Sequence, residues 1–168
     1  MKATTKVRGA MLDAIRHDLE RRHTYAWERV GFVTAACAAT RDGILLLARS
    51  YQPVADEDYE HASGVGAQIG SDAIRKALQS AYRPQHALLH IHSHGGNGVP
   101  SFSGTDRISA AEFVPSFFNT LPRMPHGIIV LSNDHAAGLL WLTPDGPPID
   151  MASFVRVGAP YRHTWSPK

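Results

Sequence analysis

Leu89-His90-Ile91-His92-Ser93-His94 carries three of the chain's ten histidines at alternate positions. On a strand, residues two apart point to one face, so His92 and His94 can bring two imidazole nitrogens to a single ion without distorting the backbone. The pair alone decides nothing, because chance gives roughly 0.6 His-x-His in a chain this rich in histidine. Ser103-Gly104-Thr105-Asp106 follows after a glycine-rich turn, and a helix starting there lets Asp106 fold back toward the strand end. Two imidazoles and one carboxylate make a catalytic type of zinc site, since three protein ligands leave the fourth position for water. Requiring Ser-x-x-Asp nearby lowers the chance expectation to the order of 0.01.

These residues resemble the signature of the JAMM (JAB/MPN) zinc metalloproteases, which is His-x-His, a short spacer, then Ser-x-x-Asp. Here it reads His92-Ser93-His94, then Gly95 to Phe102, then Ser103 to Asp106. The spacer is eight residues where the family usually has seven, and Gly95 stands where a proline is common. An upstream glutamate before a Gly-Phe strand start completes the pattern, and Glu28-Arg29-Val30-Gly31-Phe32 is similar to that segment. The resemblance runs from Glu28 to about Leu142. It implies His92, His94 and Asp106 as ligands of one zinc ion. By the same resemblance Glu28 is the general base and Ser103 a hydrogen-bond donor to the developing oxyanion. It further implies an isopeptidase or peptidase that cleaves after the C-terminal tail of a ubiquitin-like protein. Small members of the family resemble bacterial proteins encoded with ubiquitin-like conjugation machinery.

Around these residues the chain must supply strands and helices. Val7, Met11, Ile15 and Leu19 recur every four positions and predict an amphipathic helix over 7–22. Residues 31–40 and 43–51 read as an antiparallel pair joined at Asp42-Gly43. Residues 53–70, with Asp56, Glu57, Asp58 and Glu60, read as a mobile loop. Ser71 can cap a helix that Pro84 ends, and a central strand follows over 86–93. The second helix begins at Gly104 or Thr105 and is kinked or stopped by Pro115. Strands over 127–132, 138–142 and 154–157 precede a polar tail from about residue 159. The expectation is one α+β (mixed α/β) domain over 1–168, with a curved, largely antiparallel JAB/MPN-like sheet flanked by helices.

Other residues carry plainer readings. His90 shares the face of His92 and His94 and reads as supporting or packing them, with direct ligation as the alternative. Glu28 can equally be a surface residue of a helix-to-strand junction, and Asp106 can be a first-turn acid favoured by the helix dipole. Cys37, the single cysteine, lies in an apolar segment and reads as an inert thiol. Gly64-x-Gly66 with Gly70 imitates a dinucleotide loop, but no strand precedes it, and no Gly-x-Ser-x-Gly occurs. The acidic run 56–60 reads as a solvated face, with docking of a basic protein surface as the alternative. Tyr161, Arg162, His163 and Trp165 read as a partly ordered terminus.

The 168 residues suit one domain, and 43% hydrophobic content with 19% charged residues excludes disordered and low-complexity classes. A net charge of +2, with cations spread singly, argues against nucleic acid. One cysteine allows no internal disulfide, and apolar runs are too short for a membrane span, so a cytoplasmic location is expected. Two alternatives stand beside the peptidase: a non-catalytic MPN-like scaffold or binding module, and an amidase acting on a small carrier protein or small molecule.

Overall fold

The computed structural model describes residues 1–24, 26–61 and 66–158. Lys2–Arg8 forms strand β1, whose Ala3, Thr5 and Val7 are buried while Lys2, Lys6 and Arg8 face out. It runs directly into helix α1 (Gly9–Leu19), which buries Leu12, Ile15 and Leu19. The helix expected over 7–22 is therefore shorter at both ends. Val7 belongs to the strand, and the carbonyls of Arg21 and Arg22 accept the buried Arg29 guanidinium at 2.9 and 3.2 Å, outside any helical ladder.

Strands β2 (Val30–Thr40) and β3 (Gly43–Pro53) form the expected hairpin, with Thr40 opposite Gly43. A Cβ at Gly43 would lie 1.9 Å from the Lys2 carbonyl oxygen, so the turn packs on β1 only with glycine there. The segment expected as a mobile loop is tied down wherever it is described. Asp56–Asp58 makes one 3-10 turn, Tyr59 bridges to Ile69, and the Tyr59 hydroxyl accepts the Val30 amide at 2.8 Å. Arg29 pairs with Asp56 at 2.7 Å and Lys76 with Asp58 at 2.6 Å, so these acids serve the fold as counter-ions.

Helix α2 (Ser71–Ser80) starts where expected, but its N-cap is Gly70 and Ser71 makes no capping bond. Strand β4 (Ala87–Ser93) follows, then helix α3 (Gly104–Phe117), which passes Pro115 by two residues before it ends. Strands β5 (His126–Leu131), β6 (Ala136–Trp141) and β7 (Ile149–Val157) complete the described chain. The polar tail lies outside the described residues. No helix among the described residues is long and apolar enough to cross a membrane.

The sheet corrects the expected architecture. Its strands close into a barrel in the order β1-β3-β2-β4-β5-β6-β7, with β1 pairing parallel to both β3 and β7. β4 and β5 are also parallel, while β2 with β3, β2 with β4, β5 with β6 and β6 with β7 are antiparallel. The molecule is thus a closed seven-stranded mixed barrel with three short helices among the described residues. It is not an α+β curved, largely antiparallel sheet flanked by helices. The physical reason is β1: it removes both sheet edges by bonding to strands at each side.

Alternation along the strands sorts the core into two layers. Leu46, Leu89, Ile91, Ile129 and Leu140 form one cluster with Ala3, Val7 and the α1 residues Leu12, Ile15 and Leu19, so it is the barrel interior with α1 packed on it. On the other face, Phe32, Leu88, Ile128 and Val130 pack under Ala73 and Ala77 of α2 and Val114 and Phe117 of α3. Each fully buried large side chain contributes roughly 1.5–3 kcal/mol. Even-numbered positions of β4 belong to this outer layer, which sends His90 and His92 toward α3 rather than into the barrel.

Candidate metal centre

His92 is buried at the end of β4, and the register sets it opposite Val30 of β2 and Val130 of β5. The ladder continues one residue further, because the His94 amide donates to the Leu131 carbonyl at 3.0 Å. That extension keeps His94 on the same face, and the two Nε2 atoms approach to 3.1 Å. His90 lies one step back on this face. Its ring meets Phe32 and Phe113 edge-on at 5.4 and 5.2 Å and His92 at 5.8 Å. Burial, then the neighbouring His92, push its pKa down to about 3, which suits a neutral packing ring.

Asp106 comes to the histidines through a capping box. The Ser103 hydroxyl accepts the Asp106 amide at 3.1 Å, and Asp106 Oδ2 accepts the Ser103 amide at 2.7 Å. The same carboxylate lies 3.4 Å from His92 through Oδ1 and 3.4 Å from His94 through Oδ2. Burial alone would raise the Asp106 carboxyl, but His92, the Ser103 hydroxyl and the Ser103 amide together outweigh it and hold it well below the usual range. The cap reading and the ligand reading of Asp106 therefore describe one geometry.

The eight-residue spacer is shaped by glycine and held by a neighbouring turn. Gly95, Gly96 and Gly98 have φ of 63°, 66° and 86°, the left-handed region that other residues rarely adopt. The turn between β5 and β6 grips the loop: Asn133 donates its amide to the Gly96 carbonyl at 2.8 Å, and the Ser132 hydroxyl donates to the Gly98 carbonyl at 2.7 Å.

Glu28 arrives from the chain entering β2. Its amide and that of Trp27 both donate to the Gly66 carbonyl, at 2.9 and 2.8 Å. A Cβ on Gly66 would sit 2.7 Å from Glu28 Oε2, so the bare glycine leaves room for the carboxylate. Glu28, His92 and His94 each present one ligand atom, all within 4.8 Å of one another. Among the residues singled out in the sequence, Glu28, His92, His94, Ser103 and Asp106 line one cavity of about 610 Å3. Cys37 packs instead against the barrel interior, where burial raises its thiol.

The two imidazole donors are spaced as ligands of a divalent cation: ligand atoms around a tetrahedral ion at about 2.0–2.1 Å stand about 3.3 Å apart, and the two Nε2 atoms are 3.1 Å apart, while Asp106 meets them through different oxygens, Oδ1 at 3.4 Å from His92 and Oδ2 at 3.4 Å from His94. His92 Nδ1 is buried with no hydrogen-bond partner among the described residues. A ligating histidine ordinarily donates that N–H to a neighbour; the ring neighbours of His92 are His94, His90 and Phe102, with centroids 4.9, 5.8 and 6.5 Å away.

The sequence reading missed the apolar part of the cavity, formed by Val30, Phe32, Ile69, Ile74, Phe113 and Ile128. Hydrophobic periodicity cannot tell which apolar residues border a cavity. It also missed the role of Gly66, which enters there only within a glycine cluster that imitates a dinucleotide loop, and the gripping turn at 132–134.

No family model matches the chain, and no curated protein matches it. Among solved structures it is similar to the Trichoplax adhaerens STIL N-terminal domain, with 8% identity and a TM-score of 0.35, over 78% of this chain and 38% of that one. At that TM-score the likeness identifies neither a shared fold nor a shared function.

Proposed function

We propose that this chain is a zinc-dependent peptidase or isopeptidase of the JAMM kind, cleaving after the C-terminal tail of a ubiquitin-like protein to release a conjugate or process a precursor. The observation that carries the reading is the convergence of Glu28, His92, His94 and Asp106 at one end of a single cavity. The resemblance of their spacing to the JAMM signature supplies the substrate class. The sheet expected of that family is corrected above, so the reading rests on the site. It places the protein in the cytoplasm beside conjugation machinery.

His92, His94 and Asp106 would hold the zinc ion, one per chain. Bound there, zinc supplies Lewis acidity that polarises the scissile carbonyl and brings the pKa of a water to about 7. Asp106 stays ionised because its cap and the His92 ring favour the charged form. Glu28 takes a proton from the attacking water and delivers it to the leaving amine, a transfer worth roughly 100- to 10,000-fold. The Ser103 oxygen is engaged as an acceptor by the Asp106 amide, which leaves its O–H to donate to the developing oxyanion. Phe113 and the neutral His90 keep bulk water from the inner wall.

The test couples metal content to cleavage. Wild type is expected to carry one zinc per chain by elemental analysis, and Asp106→Ala to bind it more weakly. Wild type should cleave a ubiquitin-like fusion, while Glu28→Gln keeps its metal and loses activity. Wild type that binds no supplied zinc would overturn the reading and leave the scaffold alternative. Zinc binding with cleavage of small amides but not of the fusion would favour the amidase alternative, to which the size of the cavity also points.

A further inference from the structure

Lys6 and Arg8 of β1, Leu47 and Arg49 of β3, and Val157 of β7 line a groove of about 430 Å3 that shares no residue with the metal cavity. Two irregularities of the barrel coincide there. Pairing of β1 with β3 ends at Lys6 and Leu47, while pairing of β1 with β7 continues to Arg8 and Val157. On its other side β3 carries a bulge: Ala35 of β2 is opposite Ala48 and Thr34 is opposite Ser50, so Arg49 has no partner on β2. A bulge re-aims a side chain away from the regular pleat, and that of Arg49 borders the groove where the β1–β3 ladder has ended.

The groove is basic, and its charge is uncompensated among the described residues. Three cations and no acid line it. The lysine and arginine ion pairs of the described residues engage Arg21, Arg29, Arg75, Lys76 and Arg156, and none engages Lys6, Arg8 or Arg49. All three cations are exposed, and so are Leu47 and Val157, at 39% and 45%. Positions far apart in sequence are thereby gathered into one patch of charge with apolar neighbours.

Register sets this patch away from the donor cluster. Ala35 is opposite Ala48, whereas Val30, five residues earlier on β2, is opposite His92, a separation of about 17 Å along the strand. We infer that the groove is a docking site for an extended acidic segment of a partner protein, with carboxylates at alternate positions and apolar side chains flanking them on the same face. Lys6 and Arg8 stand two residues apart on one face, a repeat of about 6.6 Å that such a segment reproduces. The guanidinium groups of Arg8 and Arg49 match carboxylates in shape as well as charge, and Leu47 and Val157 receive the apolar side chains. A phosphodiester chain carries the charge but has no apolar side chain to cover these two, which favours a protein. The docking site stands whether or not the metal centre cleaves amides.

The full chain is titrated at low salt with the peptide acetyl-Leu-Ser-Glu-Ser-Glu-Ser-Leu-amide and followed by NMR. Shifts should centre on the amides of β1, β3 and β7 around the groove and weaken as salt is raised. Replacing both glutamates of the peptide by glutamine should weaken binding, by up to about fivefold for each carboxylate lost. Lys6→Glu combined with Arg49→Glu should abolish saturable binding; both residues are exposed, so the spectrum away from the groove should stay that of wild type and report an intact fold. No binding at millimolar peptide, equal binding of the glutamine peptide, or shifts that persist in the double variant each overturn the proposal. Tighter binding of a short DNA duplex than of the acidic peptide at the same salt also overturns it and assigns the groove to nucleic acid.

Discussion

Asp134 accepts the backbone amide of Gly98 at 2.7 Å, across 36 positions of sequence, while Ser132 beside it donates to the carbonyl of the same glycine. The peptide at Gly98 is thus held from both sides by the turn between β5 and β6. His135, then the Gly98 amide, keep the Asp134 carboxyl down at about 2, so the grip is ionised at all ordinary pH. Through it the loop between His94 and Asp106 is tied to the turn between β5 and β6.

Asp134→Ala removes this grip and no donor atom. Zinc affinity is expected to fall about 10- to 100-fold, the usual effect of losing a group that orients ligands. Competition against a chromogenic chelator measures it. An unchanged affinity would mean that the glycine loop holds its shape unaided.

Gly66→Ala places a methyl 2.7 Å from Glu28 Oε2 and 2.8 Å from its Cδ. The clash falls on the far end of a flexible side chain, so the chain should fold and keep its metal while the carboxylate is displaced. Cleavage is expected to drop at least about tenfold, of the order lost with a misplaced general base. Normal turnover in a metal-replete variant would remove Glu28 from the proposed chemistry.

His126 sets a pH dependence of folding. Its Nδ1 accepts the Leu88 amide at 3.0 Å and its Nε2 lies 3.0 Å from the Leu121 carbonyl, and burial lowers its pKa. A depressed histidine favours the folded state above its unfolded pKa of about 6.5 and loses that contribution as pH falls toward the folded value. Denaturant unfolding of the metal-free protein between pH 5 and 7 should show stability rising with pH. His126→Gln should flatten the slope by at most about 1.4 kcal/mol per pH unit. An identical slope in the variant would assign the dependence to other groups.

Phe117 ties α3 to the sheet, with its ring 6.3 Å from Phe32, 5.6 Å from Phe113 and edge-on to His126 at 5.8 Å. It is fully buried, so Phe117→Ala should cost about 3–5 kcal/mol by denaturant titration. A loss below about 1.5 kcal/mol would show that this layer repacks easily.

Local chemistry was legible without the fold. Asp42-Gly43 announced the β2–β3 hairpin, alternation gave β4 and the shared face of His92 and His94, and Ser103 with Asp106 announced the start of α3. Each needs only neighbours a few residues away: a turn that fits glycine, a two-residue repeat, a side chain reaching its own helix end. These features named His92, His94, Ser103 and Asp106, a family resemblance added Glu28, and all five line one cavity.

Pairings between distant segments were decided by tertiary structure alone. Ala3, Thr5 and Val7 are a weak inward row by composition. They become a strand because β3 and β7 offer backbone partners on both sides, and that pairing turns an expected open sheet into a barrel. The meeting of Glu28 with Gly66, the grip of Asp134 on Gly98 and the lining that β2, α2 and α3 together give the cavity arise in the same way. Periodicity tells which side of an element is apolar; which surface covers it, and where a space is left, depends on chain closure over tens of residues, which no local pattern encodes.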